Sequence, residues 1–389
     1  MELHGSYRDE YSPVAEAFIQ NFTDGLEIGA AIAITVDGRF VLDLWAGDAD
    51  AHGRPWEHDT LVNVYSSTKT VAALCMLMLA DRELLDFDAP VAHYWPEFAQ
   101  QGKDKVLVRH VMAHTAGLPG FDPAPDTDTI CDVDARAAQL AGQELWLEPG
   151  GTPAYHLMTQ GYLQAEIFRR ITGQAMADWL HDNITVPLGA DFHMTLAESE
   201  DHRVADLIVT APPRSTDDEV FRAYGKEFSW DSLTAKAVMS GGIDPTHRAH
   251  LTRRWRTAGI PSASGIGTAR GLARVHSVMA CHGTVDGTSY LTPETIQSAA
   301  IEQSAGVDQV LGDHVRYGMG FGIERKSRFN LPNPHTLFWT GWGGSLAAID
   351  LDTKTSIAYV TNHMHSDPGP DNRATRLMDA LYASTMRPE

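Results

Sequence analysis

The stretch VYSSTKTVAALCMLMLA, residues 64–80, decides the fold prediction. Every residue from Val71 to Ala80 is apolar, and the i, i+3, i+4 and i+7 positions of one helix face are among them. Because the intervening positions are apolar as well, the pattern predicts a helix that is buried on most of its faces. A bilayer-spanning helix needs about 20 apolar residues. This shorter run therefore indicates an interior helix of a globular protein.

Strands are predicted on both sides of this helix along the chain. Upstream, residues 28–36 and 40–45 are apolar runs separated by Asp37-Gly38, a pair that is typical of a hairpin turn. Further helices are predicted over residues 12–22 and 268–281, and also over 106–113, 134–141, 158–172, 175–183 and 372–384. Downstream, short apolar stretches of strand length occupy residues 318–323, 336–339, 345–351 and 357–361.

This distribution predicts an α+β fold. An antiparallel sheet built from both ends of the chain would be flanked by helices, with a mainly helical region inserted between its two halves. Residues 1–65 and 265–389 would form the sheet region, and residues 66–264 the mainly helical region. The sequence contains no internal repeat and no low-complexity linker, so we interpret residues 1–389 as one unit.

The composition narrows the class of partner. The chain has 51 acidic and 30 basic residues and a net charge of −21, so long-range repulsion argues against nucleic acid or an anionic membrane as a partner. Its three cysteines are too few and too scattered for a disulfide framework, and an odd number suits a reducing compartment. The first residues have neither the basic nor the apolar part of a secretory signal. We expect a cytoplasmic protein.

The sharpest motif is Ser66-Ser67-Thr68-Lys69, at the predicted start of the buried helix. A serine and a lysine three residues apart lie on one face of the first helical turn. The helix dipole favours a developing alkoxide there, and a desolvated amine can accept the serine proton. A serine N-cap followed by a surface lysine would give the same pattern. However, this is the single S-x-x-K in a chain of seven lysines, and a surface lysine would be out of place at a buried helix.

Two further segments could complete such a site. The Pro/Gly-rich loop 148–154 leads to Tyr155 just before a predicted helix, and a phenol with a lowered pKa can act as a general base. An aromatic lid over the core is the alternative for this tyrosine. The stretch WTGWGGS, residues 339–345, lies between two predicted strands, where a strand edge could offer an N–H to an oxyanion. A β-bulge or hairpin corner is the alternative there.

Together these segments resemble the serine β-lactamases and penicillin-binding proteins, for which S-x-x-K and K-T-G are signature motifs. In particular, the chain is similar to the family VIII carboxylesterases, the esterases related to class C β-lactamases. The resemblance covers nearly the whole chain and implies one catalytic unit with a β-lactamase/transpeptidase-like fold. The segments that carry it are DLWAG (43–47), HTAGLPG (114–120), EPGGTPAYH (148–156), GIGTARGLARV (265–275), MGFGI (319–323) and TGWGGS (340–345).

The resemblance also implies roles for individual residues. Ser66 would be acylated, and Lys69 would assist its deprotonation. Tyr155 would take part in the proton transfers and activate water. Which of Lys69 and Tyr155 takes the first proton stays open, because the two would titrate as a pair. The backbone N–H groups of Ser66 and Trp342 would form the oxyanion hole.

Two positions depart from the β-lactamase pattern. Leu157 replaces an asparagine that helps to hold an amide substrate, and Trp339 replaces the K-T-G lysine that meets the β-lactam carboxylate. Hydrogen bonds to charged groups are typically worth about 1.5–3 kcal/mol, so their loss favours neutral, apolar acyl groups over β-lactams. We expect the substrate pocket to include Tyr65, His156, Leu157, Trp339, Gly341 and Gly343.

The sequence therefore predicts a serine hydrolase that cleaves carboxylic esters with short or medium acyl chains. An amidase, peptidase or acyltransferase, a weak β-lactamase, and a non-catalytic binding homologue are the alternatives. Intact Ser66, Lys69 and Tyr155 count against the last of these. His110 and His114 have a spacing that can bind zinc, but no third ligand is in view. We predict no metal and no cofactor, and a small-molecule ester as the partner; no oligomeric state is predicted.

Overall fold

The computed structural model describes residues 1–209, 232–241, 252–324, 331–364 and 372–385. Two parts of the predicted helical region, 210–231 and 242–251, thus lie outside the described residues. In chain order, the strands are β1 (Leu3–Tyr7), β2 (Gly29–Val36), β3 (Arg39–Gly47), β4 (Val62–Asn63), β5 (Phe192–His193), β6 (Ile208–Val209), β7 (Ile266–Gly267), β8 (Thr284–Val285), β9 (Thr288–Ser289), β10 (Ser304–Val307), β11 (His314–Tyr317), β12 (Gly322–Glu324), β13 (Thr336–Thr340), β14 (Leu346–Asp350), β15 (Thr355–Thr361) and β16 (His363–Met364).

Seven consecutive α-helices, all within the described range 1–209, separate β4 from β5, and the remaining described helices lie between strands or at the C-terminal end. A π-helical turn, His181–Thr185, follows directly after the α-helix that ends at Leu180. Among the described residues, no helix is both long and apolar enough to cross a membrane. The α-helices are α1 (Ser12–Thr23), α2 (Thr68–Asp81), α3 (Val91–Tyr94), α4 (Val108–Met112), α5 (Val133–Gly142), α6 (Thr159–Thr172), α7 (Met176–Leu180), α8 (Val186–Leu188), α9 (Leu233–Met239), α10 (Arg253–Arg256), α11 (Ala269–Ala280), α12 (Pro293–Ala299) and α13 (Asn372–Thr385).

One large antiparallel sheet is built from both ends of the chain, as predicted. Its nine strands are arranged in the order β1-β3-β2-β15-β14-β13-β12-β11-β10. The two halves meet where β2 pairs with β15, with Ile32 opposite Tyr359. The predicted hairpin is the β2–β3 pair, and both residues of its turn, Asp37 and Gly38, have positive φ. This is the conformation that favours an Asp-Gly pair at a two-residue hairpin turn.

Helices cover both faces of this sheet. Along each strand, successive side chains therefore point alternately into two different cores. Ile32 and Ile34 pack in the core that is shared with α1 and α13. Ala31 and Ala33, on the opposite face, pack in the core that includes α11 and α2. Successive side chains of a strand point to opposite faces, and this accounts for the continuous burial of β2.

The buried helix predicted from residues 64–80 is α2, and every residue from Thr68 to Leu79 is buried. A small sheet that the sequence did not predict, in the order β4-β7-β5, leads into its N-terminus. Asn63 fixes this approach, because its side-chain amide donates to the carbonyls of Ala263 (2.8 Å) and Gly265 (3.0 Å). The start of α2 is therefore attached to the segment around residue 264.

The strand predicted over residues 318–323 is partly wrong. The strand begins only at Gly322, and the residues before it form a turn in which Gly318 N–H donates to Phe321 O (2.8 Å). Gly320 adopts φ +90°, and a Cβ there would lie 2.6 Å from that of Ala73. Gly320 of MGFGI thus permits the close approach of this turn to α2.

Candidate active site

Ser66 lies in a tight 3-10 turn, Tyr65–Ser67, between β4 and α2. Tyr65 has φ +42°, a left-handed conformation that non-glycine residues adopt rarely and at a cost of about 1–3 kcal/mol. The surrounding hydrogen bonds hold it there, since Thr68 Oγ1 donates to Tyr65 O (2.5 Å) and Ser67 N–H to Val64 O (3.1 Å). The strained turn presents Ser66 at the N-terminal end of a helix.

Lys69 is directed at Ser66 from the first turn of α2. Its Nζ lies 3.1 Å from Ser66 Oγ, and it also lies 2.7 Å from Leu157 O and 3.0 Å from Ser262 O. The side chain is only 1% exposed. Burial disfavours the ammonium form and holds the pKa of Lys69 well below the usual lysine value.

Tyr155 approaches Ser66 from the loop that precedes α6. Its hydroxyl lies 2.8 Å from Ser66 Oγ, and Lys69 Nζ lies 5.1 Å from the centre of its ring. The structure thus places the three predicted catalytic residues together, although they are up to 89 positions apart in sequence. The hydroxyl of Ser66 lies between an amine and a phenol.

The segment after β13 packs directly against the turn that carries Ser66. A Cβ at Gly341 would lie 2.1 Å from Val64 O, so only glycine permits this approach. Trp342 follows and is 38% exposed, with its ring 5.4 Å from that of Tyr65. The predicted pocket residues Tyr65 and Gly341 therefore lie beside Ser66.

An aromatic cluster surrounds the ring of Tyr155. His114 lies 5.0 Å from it in an edge-to-face arrangement, and Trp339 lies 5.7 Å from it. Trp339 also stacks on Tyr317 at 5.5 Å and is nearly buried. The position that carries the K-T-G lysine in β-lactamases is therefore occupied by a packed indole. Other apolar side chains adjoin this cluster, and the partly buried ones are Trp146, Leu147, Leu157, Leu233 and Leu311.

Two other predicted pocket residues, His156 and Gly343, are buried. His156 is fully buried, its Nε2 accepts from Leu118 N–H (3.1 Å) and its Nδ1 donates to Ala154 O (2.6 Å). Gly343 packs against Met364, where a Cβ would lie 2.2 Å from Sδ. Their contacts are with the surrounding backbone and core, and their place in the pocket wall stays a prediction.

Three residues that contact Lys69 or Tyr155 were not predicted from the sequence. Ser262 supplies a carbonyl to Lys69, and Asp308 accepts from the backbone N–H of Tyr155 at 3.0 Å. His114 lies within the HTAGLPG segment, where its spacing from His110 suggests zinc binding rather than a contact with Tyr155. No local pattern marks Asp308 or Ser262, because their roles depend on contacts more than 100 residues away.

The zinc-like histidine pair is engaged in other contacts. His110 Nδ1 accepts from Leu107 N–H and His114 Nδ1 accepts from His156 N–H, both at 3.1 Å. Burial lowers the pKa of each imidazole. Within the described ranges, no group of three or more histidine, cysteine or acidic side chains could hold a metal ion.

A serine on an S-x-x-K turn, bonded to a buried lysine and a tyrosine on this α+β scaffold, defines a serine hydrolase of the β-lactamase fold. The profile of the Beta-lactamase family matches residues 16–382, and the chain belongs to that family. The fold implied by the sequence resemblance is thereby confirmed.

Individual relatives agree with this assignment. The chain is 32% identical over 385 residues to Esterase/beta-lactamase LipL of Mycobacterium tuberculosis, covering 94% of this chain and 84% of that protein. A penicillin-binding protein homologue from Caulobacter crescentus is 38% identical with a TM-score of 0.89, covering 99% of this chain and 100% of that one. A family VIII carboxylesterase is 34% identical with a TM-score of 0.87 and the same coverage.

Proposed function

We propose that the protein is a serine carboxylesterase that cleaves neutral esters with short or medium acyl chains through an acyl-enzyme on Ser66. The observation that carries this proposal is the position of Ser66 Oγ, 3.1 Å from Lys69 Nζ and 2.8 Å from Tyr155 OH. A serine hydroxyl is a weak nucleophile until a neighbouring base takes its proton. Here two candidate bases touch the same oxygen.

The neutral amine of Lys69 is the group that we propose takes the Ser66 proton, because burial disfavours its ammonium form. A neutral amine has two N–H donors and one lone pair. An ammonium would donate to Ser66 Oγ and to the carbonyls of Leu157 and Ser262. Once neutral, the amine can give its two N–H groups to the two carbonyls and turn its lone pair toward Ser66. The lowered pKa of Lys69 makes this form more accessible than it is for an exposed lysine.

The proposed reaction then proceeds in two balanced halves. In the first, the proton of Ser66 moves to the Lys69–Tyr155 pair as Oγ bonds to the ester carbon. The alkoxide leaves with a proton from the same pair. In the second half, water gives a proton to the pair and attacks the acyl carbon, and Ser66 recovers its proton as the acid departs. The backbone N–H groups of Ser66 and Trp342 would stabilise the oxyanion in each half.

Neutral esters are the substrates best suited to these surroundings. The side chains packed around Tyr155 are apolar or aromatic, and Trp339 fills the position of the anion-binding lysine. A substrate carboxylate would lose water there without gaining that cation. The relatives named above include a protein called an esterase/beta-lactamase and a family VIII carboxylesterase, which supports the same substrate class.

Hydrolysis of p-nitrophenyl butyrate by the purified chain tests the proposal, with Ser66→Ala as the inactive variant. The exposed Ser289 gives a matched Ser→Ala control that should keep the wild-type rate. We expect turnover that needs no added metal and survives a chelator. If the wild type shows neither turnover nor reaction with a fluorophosphonate, the hydrolase proposal fails and a binding homologue remains.

A substrate panel distinguishes the alternatives on the same scaffold. We expect p-nitrophenyl esters to be cleaved far faster than p-nitroanilides of the same acids or nitrocefin. Faster anilide cleavage would indicate an amidase, and faster nitrocefin cleavage a β-lactamase. An acyltransferase would form a new ester when an alcohol is added, at the expense of free acid.

A further inference from the structure

The backbone around Tyr155 is fixed by two residues that are distant in sequence. Three consecutive N–H groups each have an acceptor from one of them. Ala154 N–H donates to His114 O (2.9 Å), and His156 N–H donates to His114 Nδ1 (3.1 Å). Between them, Tyr155 N–H donates to Asp308 Oδ1 (3.0 Å). The peptide units on both sides of the Tyr155 side chain are therefore held.

Asp308 also connects Tyr155 to the neighbouring aromatic cluster. The same Oδ1 accepts from Val310 and Leu311 N–H, both at 2.9 Å, and Tyr317 OH donates to Oδ2 at 3.2 Å. Gln309 N–H adds a bond to Pro153 O at 2.9 Å. The carboxyl is fully buried, and burial raises its pKa despite these donors. A buried carboxyl with four protein donors is a structural anchor rather than a surface charge.

His114 supports the other side of Tyr155 at an energetic cost. It has φ +58° and is fully buried, and its Nε2 has no hydrogen-bond partner among the residues that the structure describes. Strained backbone costs about 1–3 kcal/mol, and an unsatisfied buried donor costs about as much. Burial holds the pKa of His114 well below the usual histidine value and favours the neutral ring. Because Nδ1 accepts from His156 N–H, the one ring proton is on Nε2. Its ring lies against those of Tyr155 and Trp339.

We propose that His114 and Asp308 form a clamp that holds the Tyr155 hydroxyl in line with Ser66 Oγ. Both are positioning residues and act on the reaction only through Tyr155. The clamp rests on the proposed function, because it requires a proton-transfer role for the Tyr155 hydroxyl. It explains why strain and an unpaired donor are retained next to this tyrosine, since misplacing a catalytic group by about 1 Å can cost about 10²-fold in rate.

A double-mutant cycle between Asp308→Ala and Tyr155→Phe tests the clamp. The measured quantities are kcat and KM for p-nitrophenyl butyrate and the rate of labelling by a fluorophosphonate. In the wild-type background we expect Asp308→Ala to lower kcat by about 10–100-fold and to change KM by less than about threefold. With Tyr155→Phe already present, it should lower the remaining rate by less than about threefold, because coupled residues are not additive.

Two further variants separate positioning from a general loss of stability. Asp308→Asn keeps an Oδ1 acceptor and should stay within about threefold of the wild type. Asp350→Ala is the matched control, because Asp350 is also buried and its Oδ1 accepts the N–H groups of Asp352 and Thr353 at the far end of β14. It should lower the melting temperature without lowering kcat.

His114→Asn repeats the test if Asp308→Ala does not fold. Asparagine tolerates the left-handed backbone but removes the ring that packs on Tyr155. The same loss of rate, absent once Tyr155→Phe is present, supports the clamp. Equal losses in both backgrounds would overturn the clamp and leave the esterase proposal intact. Wild-type rates in Tyr155→Phe would overturn both the role of Tyr155 and the clamp, whereas an inactive wild type would overturn the proposed function and the clamp with it.

Discussion

The hydroxyl of Ser67 lies 3.0 Å from the hydroxyl of Ser345, and this contact joins the two chain segments that meet at Ser66. Ser345 Oγ donates to Val64 O at 2.8 Å, so the Ser67 hydroxyl is the donor to Ser345. Both side chains are buried. This chain of hydroxyls fixes the distance between the nucleophile turn and the segment that carries the proposed oxyanion donor of Trp342.

Replacing Ser345 with alanine should therefore affect both stability and rate. The substitution leaves the buried Ser67 hydroxyl without its acceptor and removes one of the two donors to Val64 O, whose other donor is Ser67 N–H. An unsatisfied buried polar group costs about 1–3 kcal/mol of unfolding free energy. We expect kcat for ester hydrolysis to fall by about tenfold or more. Ser356→Ala is the control, because Ser356 is equally buried and donates to Ala273 O, away from Ser66. Equal kcat values for the two variants would contradict a role for Ser345 in holding the Trp342 segment beside Ser66.

Gly341 should not tolerate a side chain. Its Cβ would lie 2.1 Å from Val64 O, so alanine must push the Trp342 segment away from Ser66. We expect Gly341→Ala to lower kcat/KM by about 10²-fold or more, since removing one oxyanion donor costs about 10²–10³-fold. Gly142→Ala, where a Cβ meets nothing within 4 Å, should change neither activity nor folding. A Gly341→Ala enzyme with wild-type kcat/KM would show that this close approach is dispensable.

The pH dependence of the reaction should report on Lys69. Its pKa is lowered by burial, so the amine is neutral above that value and becomes protonated as the pH falls through it. The rate should therefore fall on the acid side. Lys69→Arg, which stays protonated at all working pH values, should lower kcat by about 10²–10⁴-fold and lose this acid limb. Lys354→Arg, at an exposed position, should keep the wild-type profile.

The lowered pKa of Lys69 should also make the free energy of unfolding depend on pH. The folded state binds the Lys69 proton less tightly than the unfolded chain does. Relative to Lys69→Met, the wild type should therefore gain stability as the pH rises from the lowered pKa toward the usual lysine value. Unfolding in urea across this range measures the difference. A difference that does not change with pH would contradict a neutral amine in the folded protein.

A buried ion pair should stabilise the other side of the Trp342 segment. Arg373 Nη2 donates to Gly343 O at 2.6 Å, and its Nη1 lies 3.3 Å from Glu27 Oε2. Glu27→Gln would remove a counter-charge from the buried guanidinium, and breaking a buried ion pair costs about 3–5 kcal/mol. We expect a large fall in melting temperature, whereas Asp24→Asn at the more exposed Arg376–Asp24 pair should cause a small one. Similar effects of the two substitutions would show that the pair does not act as a buried anchor.

The sequence predicted the elements whose patterns are local. The hairpin at Asp37-Gly38, the uniformly apolar α2 and the S-x-x-K spacing each depend on residues that are close in sequence. The edge strand β1 was missed because LHGSY lacks an alternating apolar pattern and is largely exposed. The two-residue strands β4, β5 and β7 give no periodic signal at all.

In the candidate site, too, only the residues that belong to local motifs could be predicted. Motif spacing identified Ser66, Lys69 and Tyr155 as candidates, and the structure places them in contact. Motif spacing could not show which way a motif residue points, and it gave no sign that both ring nitrogens of His156 contact backbone groups. It also gave no sign of Asp308, because that carboxyl reaches Tyr155 across 153 positions of the chain.

The central claim is that Ser66 is the nucleophile. Mass spectrometry of the intact protein after reaction with a fluorophosphonate tests it most directly, followed by peptide mapping of the adduct. We predict one phosphonyl group on Ser66 in the wild type, none in Ser66→Ala, and retained labelling in Ser67→Ala, whose hydroxyl is buried against Ser345. An adduct on any other residue, or labelling that persists in Ser66→Ala, would contradict the account.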